Sequence, residues 1–150
     1  MEILEATKEL IDKFEMSEAD FKEQVASGNQ YVFERPQDYI VIVDNDNVLG
    51  LGGLTDTGTI WLLTSHLVEK LSIKDKQKFV KLVRKQVENY KKHNKDRMYF
   101  VNSVWEHNTS HIKFVESCGG VFLYEKAYKT IIGETFIPFI IPNDYHEGGY

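Results

Sequence analysis

Apolar positions along this chain change period repeatedly, and each change marks an element. Glu2 to Ala6 reads as a short first strand. Thr7 then opens a helical pattern with Leu10, Ile11 and Phe14 on one face. Ser17-Glu18-Ala19-Asp20 is a second helix start, and the spacing of Phe21 and Val25 predicts that these two point inward, with the charged residues on a solvated face. Gly28-Asn29 ends that helix. Tyr31 to Pro36 is a connector, and Tyr39 to Val43 is a strand. Asp44-Asn45-Asp46-Asn47 is turn chemistry, so Val48 to Leu54 returns as the second arm of a hairpin, with Gly50, Gly52 and Gly53 marking a bulge or a close backbone approach. After a turn at Asp56-Thr57-Gly58, Thr59 to Thr64 adds a third meander strand.

Ser72 caps a long helix reaching about Lys92, with Phe79, Leu82, Val83, Val87 and Tyr90 on its apolar face and Lys and Arg on the other. Met98 to Trp105 is a strand rich in aromatic and β-branched residues. Asn108, Thr109 and Ser110 open a short helix carrying Ile112, Val115 and Cys118 inward, and Gly119-Gly120 closes it. Val121 to Tyr124 is the next strand, and Thr135 to Ile141 the last. Pro138 cannot donate to a ladder and therefore predicts an edge position for that last strand. The order is β-α-α-β-β-β-α-β-α-β-β, an α/β (α+β) chain expected to form a single domain over 1–150, with 141–150 as a polar C-terminal tail.

Composition narrows the classes. An apolar fraction of 42% over 150 residues suits a substantial core. The net charge of −5 disfavours nucleic acid as a general partner, although Lys74 to Arg97 sets ten Lys and Arg against three acids. That basic run, including Lys78, Lys81 and Arg84, lacks interleaved aromatics and reads as a solvated face or as a contact for an acidic protein. Cys118 is the single cysteine, which excludes an intrachain disulfide and points to a reducing compartment. No apolar run is long enough for a membrane span, and Met1 to Glu5 lacks the pattern of a signal peptide. Asp44 to Asn47 carries calcium-type oxygens without the glycine and distal Glu of a calcium loop, so no metal is expected there.

The stretch from Val104-Trp105-Glu106-His107-Asn108-Thr109-Ser110 to His111-Ile112-Lys113-Phe114, together with Trp61 to Ser65, resembles a GNAT-like family of small internal virion proteins from short-tailed bacteriophages. The layout, with Asn108 opening and Gly119 closing the short helix, is similar to the C-terminal half of the GNAT N-acyltransferase fold. The resemblance implies a mixed, mostly antiparallel sheet flanked by helices. It also implies a strand at Trp61 to Thr64 splayed from its neighbour, and acetyl-CoA as the cofactor. Leu63, Thr64, Ser72, Ile73, Lys74, Asn108 and Ser110 are its candidate cofactor-binding residues. It further implies partners among virion or host proteins and a place in the host cytoplasm or the virion.

Two parts of the acetyl-transfer apparatus are missing. No glycine lies between Gly58 and Gly119, so the family's glycine-bearing phosphate loop is absent. Val115 stands where many GNAT enzymes carry a proton-donating Tyr, and an aliphatic side chain transfers no proton. Cys118 and Tyr124 are the nearest substitutes, and His66, Glu106 and His107 are candidate bases; His111 reads as structural. No catalytic residue is assigned on sequence. The reading is a virion-morphogenesis accessory protein with a degenerate acetyl-CoA site. The alternative is an active N-acetyltransferase acting on an amine of a protein or small molecule.

Overall fold

A computed structural model describes residues 1–145. The chain runs β1 (Glu2–Glu5), α1 (Lys8–Asp12), α2 (Glu18–Ser27), β2 (Tyr39–Asp44), β3 (Asn47–Leu54), β4 (Ile60–Thr64), α3 (Ile73–His93), β5 (Tyr99–Trp105), α4 (Thr109–Ser117), β6 (Val121–Phe122), β7 (Tyr128–Lys129) and β8 (Thr135–Pro142). This is the expected order with one addition, the two-residue β7. The helix starts obey local capping chemistry. Thr7, Ser17, Ser72 and Asn108 each accept a backbone N–H of the first turn through a side-chain oxygen.

The strands form two antiparallel sheets. β1-β2-β3-β4 is a meander, with a bulge where Leu49 is left over between the pairs Ile42–Gly50 and Val43–Val48. The second sheet has the order β5-β8-β6, with β7 also on β8. β4 and β5 meet at a parallel bridge between Thr59 and Val101 and then diverge. Two bonds fix that apex: Val101 N–H donates to Gly58 O at 3.0 Å, and Asn102 Nδ2 donates to Ile60 O at 2.8 Å. Arg97 secures the adjoining turn by donating to the carbonyls of Asp56 and Thr57. The splay anticipated beside Trp61 is therefore present.

Helices cover both faces. α3 presents Phe79, Val83 and Val87 to a core with Ile42, Leu49, Ile60, Phe100, Val104 and Ile141. α1 and the turn that follows it set Leu10, Ile11 and Phe14 against Val41, Val43, Val48 and Leu51 on the opposite side of the first sheet. α4 ends at Gly119, in the left-handed conformation at φ 90°. The chain then passes so close to α4 that a Cβ on Gly120 would collide with Val115.

Four expectations need correction. Phe21 and Val25 point outward, at 54% and 55% exposure, while Asp20 and Glu23 are buried at 5% and 4%. Pro138 lies in β8, which has neighbours on both sides. Its carbonyl accepts from Leu123 N–H, so its missing N–H falls on the same side, between the end of β6 and the start of β7. The strand expected over Val121 to Tyr124 stops at Phe122, and a short 3-10 turn follows at Tyr124–Lys126. The polar tail expected from 141 also starts later. Residues 141 and 142 belong to β8, and Asn143 N–H donates to Met98 O. Asn143 Nδ2 donates to the carbonyls of Lys91 and Asn94. Asp144 pairs with Lys91, a residue of the basic helix that is itself buried. Residues 146–150 lie outside the described part of the chain.

Candidate functional site: a cleft closed at its mouth by two buried carboxylates

The wedge between β4 and β5 opens into a cavity of about 800 Å³, bounded by α2, α3 and α4. Its walls are mainly apolar at one end, where Phe33, Tyr39 and Trp61 pack as a ring cluster with centroids 5.3 to 6.2 Å apart. The other end is polar and is organised by α2.

Asp20 and Glu23 are three residues apart and so share one face of α2. Asp20 Oδ2 accepts Thr64 N–H at 2.8 Å and the Thr64 hydroxyl at 3.0 Å. Glu23 Oε1 accepts Trp105 N–H at 2.8 Å, and Glu23 Oε2 lies 3.2 Å from His111 Nδ1. The two acids thus hold the diverging ends of both strands, Asp20 on β4 and Glu23 on β5. Burying a carboxylate costs several kcal/mol unless charge-assisted hydrogen bonds replace its water. These contacts supply them. Burial by itself would push the His111 imidazole down. Its hydrogen bond and charge pairing with Glu23, and then the charge of Asp20, outweigh that and hold it above the usual histidine value. Tyr31, on the same cavity wall, is pushed up to about 12, first by burial and then by the charge of Glu23.

Asn108 is the N-cap of α4, only 4% exposed. Its Oδ1 accepts from His111 N–H at 3.4 Å and from the Ser110 hydroxyl at 3.2 Å. Its Nδ2 is buried without a hydrogen-bond partner. The asparagine recognised in the sequence therefore lines the cavity and keeps a buried amide donor unused.

Four of the seven expected cofactor residues, Leu63, Thr64, Asn108 and Ser110, line this cavity; Ser72, Ile73 and Lys74 do not. Ser72 spends its hydroxyl on Asp75 N–H, and Ile73 is exposed. The main chains of Leu63 and Thr64 are already committed within the protein. Ser65 N–H donates to Leu49 O, so residues of that parity, Leu63 included, turn their main chains to β3. Thr64 faces the wedge, but its N–H is held by Asp20 and its carbonyl accepts Ser17 N–H at 2.8 Å. Leu62 is left as the β4 residue whose main chain faces the wedge beyond Ile60.

The residues present do not fit acetyl-CoA. The start of α3, where the pyrophosphate would rest, is off the cavity. Lys76 lines the wall, but Asp20, Glu23 and Glu69 line the same cavity, and such acids repel phosphate. The proposed proton-transfer groups fare no better. Tyr124 is exposed. His66 pairs with Glu15 at 2.7 Å, and His107 with Glu106 at 3.4 Å; neither histidine lines the cavity. Cys118 does line it, but burial pushes its thiol up, against the smaller effects of Ser117 and Arg84.

Sequence reasoning missed Asp20, Glu23 and Tyr31. The available signal was the i, i+3 spacing of two acids just after a cap, which is also what an ordinary solvated helix shows.

The fold and site define a mixed α+β protein with two splayed antiparallel sheets and a carboxylate–histidine cluster at the mouth of the wedge. Residues 38–127 match the family described as "Bacteriophage T7, probable scaffold protein Gp13", and the chain belongs to that family. A relative from Escherichia phage T7, named "Probable scaffold protein gp13", is 42% identical over 66 residues, which cover 41% of this chain and 43% of that protein. The matched stretch thus spans less than half of the relative's length. The structure titled "Crystal structure of the NatC complex bound to Gag peptide and CoA" aligns over 95% of this chain and 99% of its own. Its TM-score is 0.48 at 13% identity, a likeness too distant to bear on function. Among the described residues, no helix is long and apolar enough to cross a membrane.

Proposed function

We propose that this protein serves phage virion assembly through contacts with virion or host proteins in the host cytoplasm, on a GNAT-like fold that no longer handles an acyl cofactor. Family membership across residues 38–127 supports the assembly role. The observation that carries the loss of acyl transfer is the closure of the β4 edge. Asp20 and Ser17 occupy both main-chain groups of Thr64, and Ser72, Ile73 and Lys74 at the start of α3 lie off the cavity.

Two measurements test this reading. Calorimetric titration with acetyl-CoA should give no saturable heat, and incubation with a panel of amines should give no CoA release. Phage lacking this protein should yield fewer infectious particles, with the yield restored by supplying the wild-type chain in trans. Saturable acetyl-CoA binding with turnover would support the N-acetyltransferase alternative. An unchanged particle yield without the protein would remove the assembly role.

A further inference from the structure

Asp20, Glu23 and His111 each place one donor atom within 4.8 Å of the other two. The three come from α2 and α4, helices separated by most of the chain, so their meeting is a product of the fold. Each carboxylate is oriented from behind by a backbone N–H: Thr64 N–H on Asp20 Oδ2 and Trp105 N–H on Glu23 Oε1. Outer-shell bonds of this kind fix ligand carboxylates at metal centres. Asn108 adds an independent observation. It lines the same cavity, and its buried Nδ2 donor has no partner. A buried amide donor without an acceptor costs about 1–3 kcal/mol.

Charge points the same way. Two buried carboxylates facing a single imidazole leave the cluster with a negative balance, which a low-dielectric site tolerates poorly. A dication beside two carboxylates and a neutral imidazole brings the sum to zero. The donor set has two hard oxygens and one borderline nitrogen. That excludes soft monovalent ions and suits zinc or a neighbouring first-row divalent ion.

We infer that Asp20, Glu23 and His111 form a binding site for a divalent transition-metal ion, with an open coordination position on the cavity side that Asn108 addresses. The metal takes the Nδ1 lone pair of His111, and the displaced proton leaves to solvent. A bound water or hydroxide in the open position accepts from Asn108 Nδ2. Such an ion would join α2 to α4 in the same place where the acids already join α2 to β4 and β5.

The test uses the full chain, stripped with EDTA and exchanged into chelator-free buffer. Titration with Zn²⁺ by calorimetry should show one equivalent bound, and Co²⁺ should give the visible bands of a low-symmetry nitrogen–oxygen site. Asp20→Asn and His111→Gln should each weaken binding at least tenfold, with folding of both variants checked by circular dichroism in EDTA. The double variant His66→Gln/His107→Gln changes exposed residues only and should bind as the wild type does. No stoichiometric binding by the wild type would overturn the proposal. So would loss of binding in the surface double variant, which would place the ion at the exposed His–Glu pairs instead. If either cluster variant fails to fold, the wild-type Co²⁺ spectrum still decides, because an all-oxygen spectrum excludes His111.

Discussion

Replacing Glu23 tests the inverted face of α2 most directly. In Glu23→Ala, Trp105 N–H loses its acceptor and His111 loses the carboxylate that holds its Nδ1 proton. Removing one partner of a buried charged pair costs about 3–5 kcal/mol, because the remaining groups stay desolvated. For a chain of 150 residues, each kcal/mol lowers Tm by roughly 2–4 °C, so the variant should melt on the order of 10 °C early. Glu23→Gln keeps an oxygen for Trp105 N–H and should lose only about 1–2 kcal/mol, one charge-assisted bond. Phe21→Ser is the control. A helix with Phe21 inward would lose several kcal/mol on that change, whereas the exposed ring found here predicts a loss within about 1 kcal/mol. Urea unfolding monitored by tryptophan fluorescence, in EDTA, gives all three values. A Glu23→Ala chain as stable as the wild type, or a Phe21→Ser chain that falls further than Glu23→Ala, would refute the reasoning.

Three further outcomes follow from the packing. Phe100→Ala should cost about 3–5 kcal/mol in the same unfolding assay, since Phe100 is fully buried where β5 meets α3; a loss under 1 kcal/mol would contradict that placement. Gly120→Ala should destabilise by about 1–3 kcal/mol, because the added methyl meets Val115; Gly119→Ala, with open space but φ 90°, tests backbone strain alone. In alkaline titration of tyrosine absorbance, Tyr31 should ionise last, near 12, and Tyr31→Phe should remove that component. Since its folded-state value lies above its ordinary value of 10.0, its contribution to stability is full below pH 10 and disappears as pH rises towards 12.

Much of the fold was legible because its elements follow local rules. Ser72 with the run Phe79, Val83 and Val87 specified α3, and Asn45-Asp46 specified the hairpin turn. The failures share a cause: each depends on a partner distant in sequence. Phe21 and Val25 looked like the inward face of α2 because apolar side chains usually are. The demand came instead from two unpaired N–H groups at Thr64 and Trp105, which sequence does not display as a pair. Pro138 read as an edge residue because the gap between β6 and β7 exists only in three dimensions. In the site, Asn108 was recognisable as a cap, but the choice between Leu62 and Leu63 turned on strand parity, which a one-residue shift reverses.

The order β5-β8-β6 also governs how this chain must be made. β5, β6 and β7 do not pair with one another; each takes its partner from β8, which follows them all. During synthesis the first sheet can close as soon as Thr64 clears the ribosome, while the apolar ribbon of β5 waits, one side bare, for Thr135 to Pro142. A premature stop or a protease cut before Thr135 would therefore leave three orphan ribbons rather than one trimmed margin, and such a fragment should aggregate or be degraded instead of persisting as a shorter functional form.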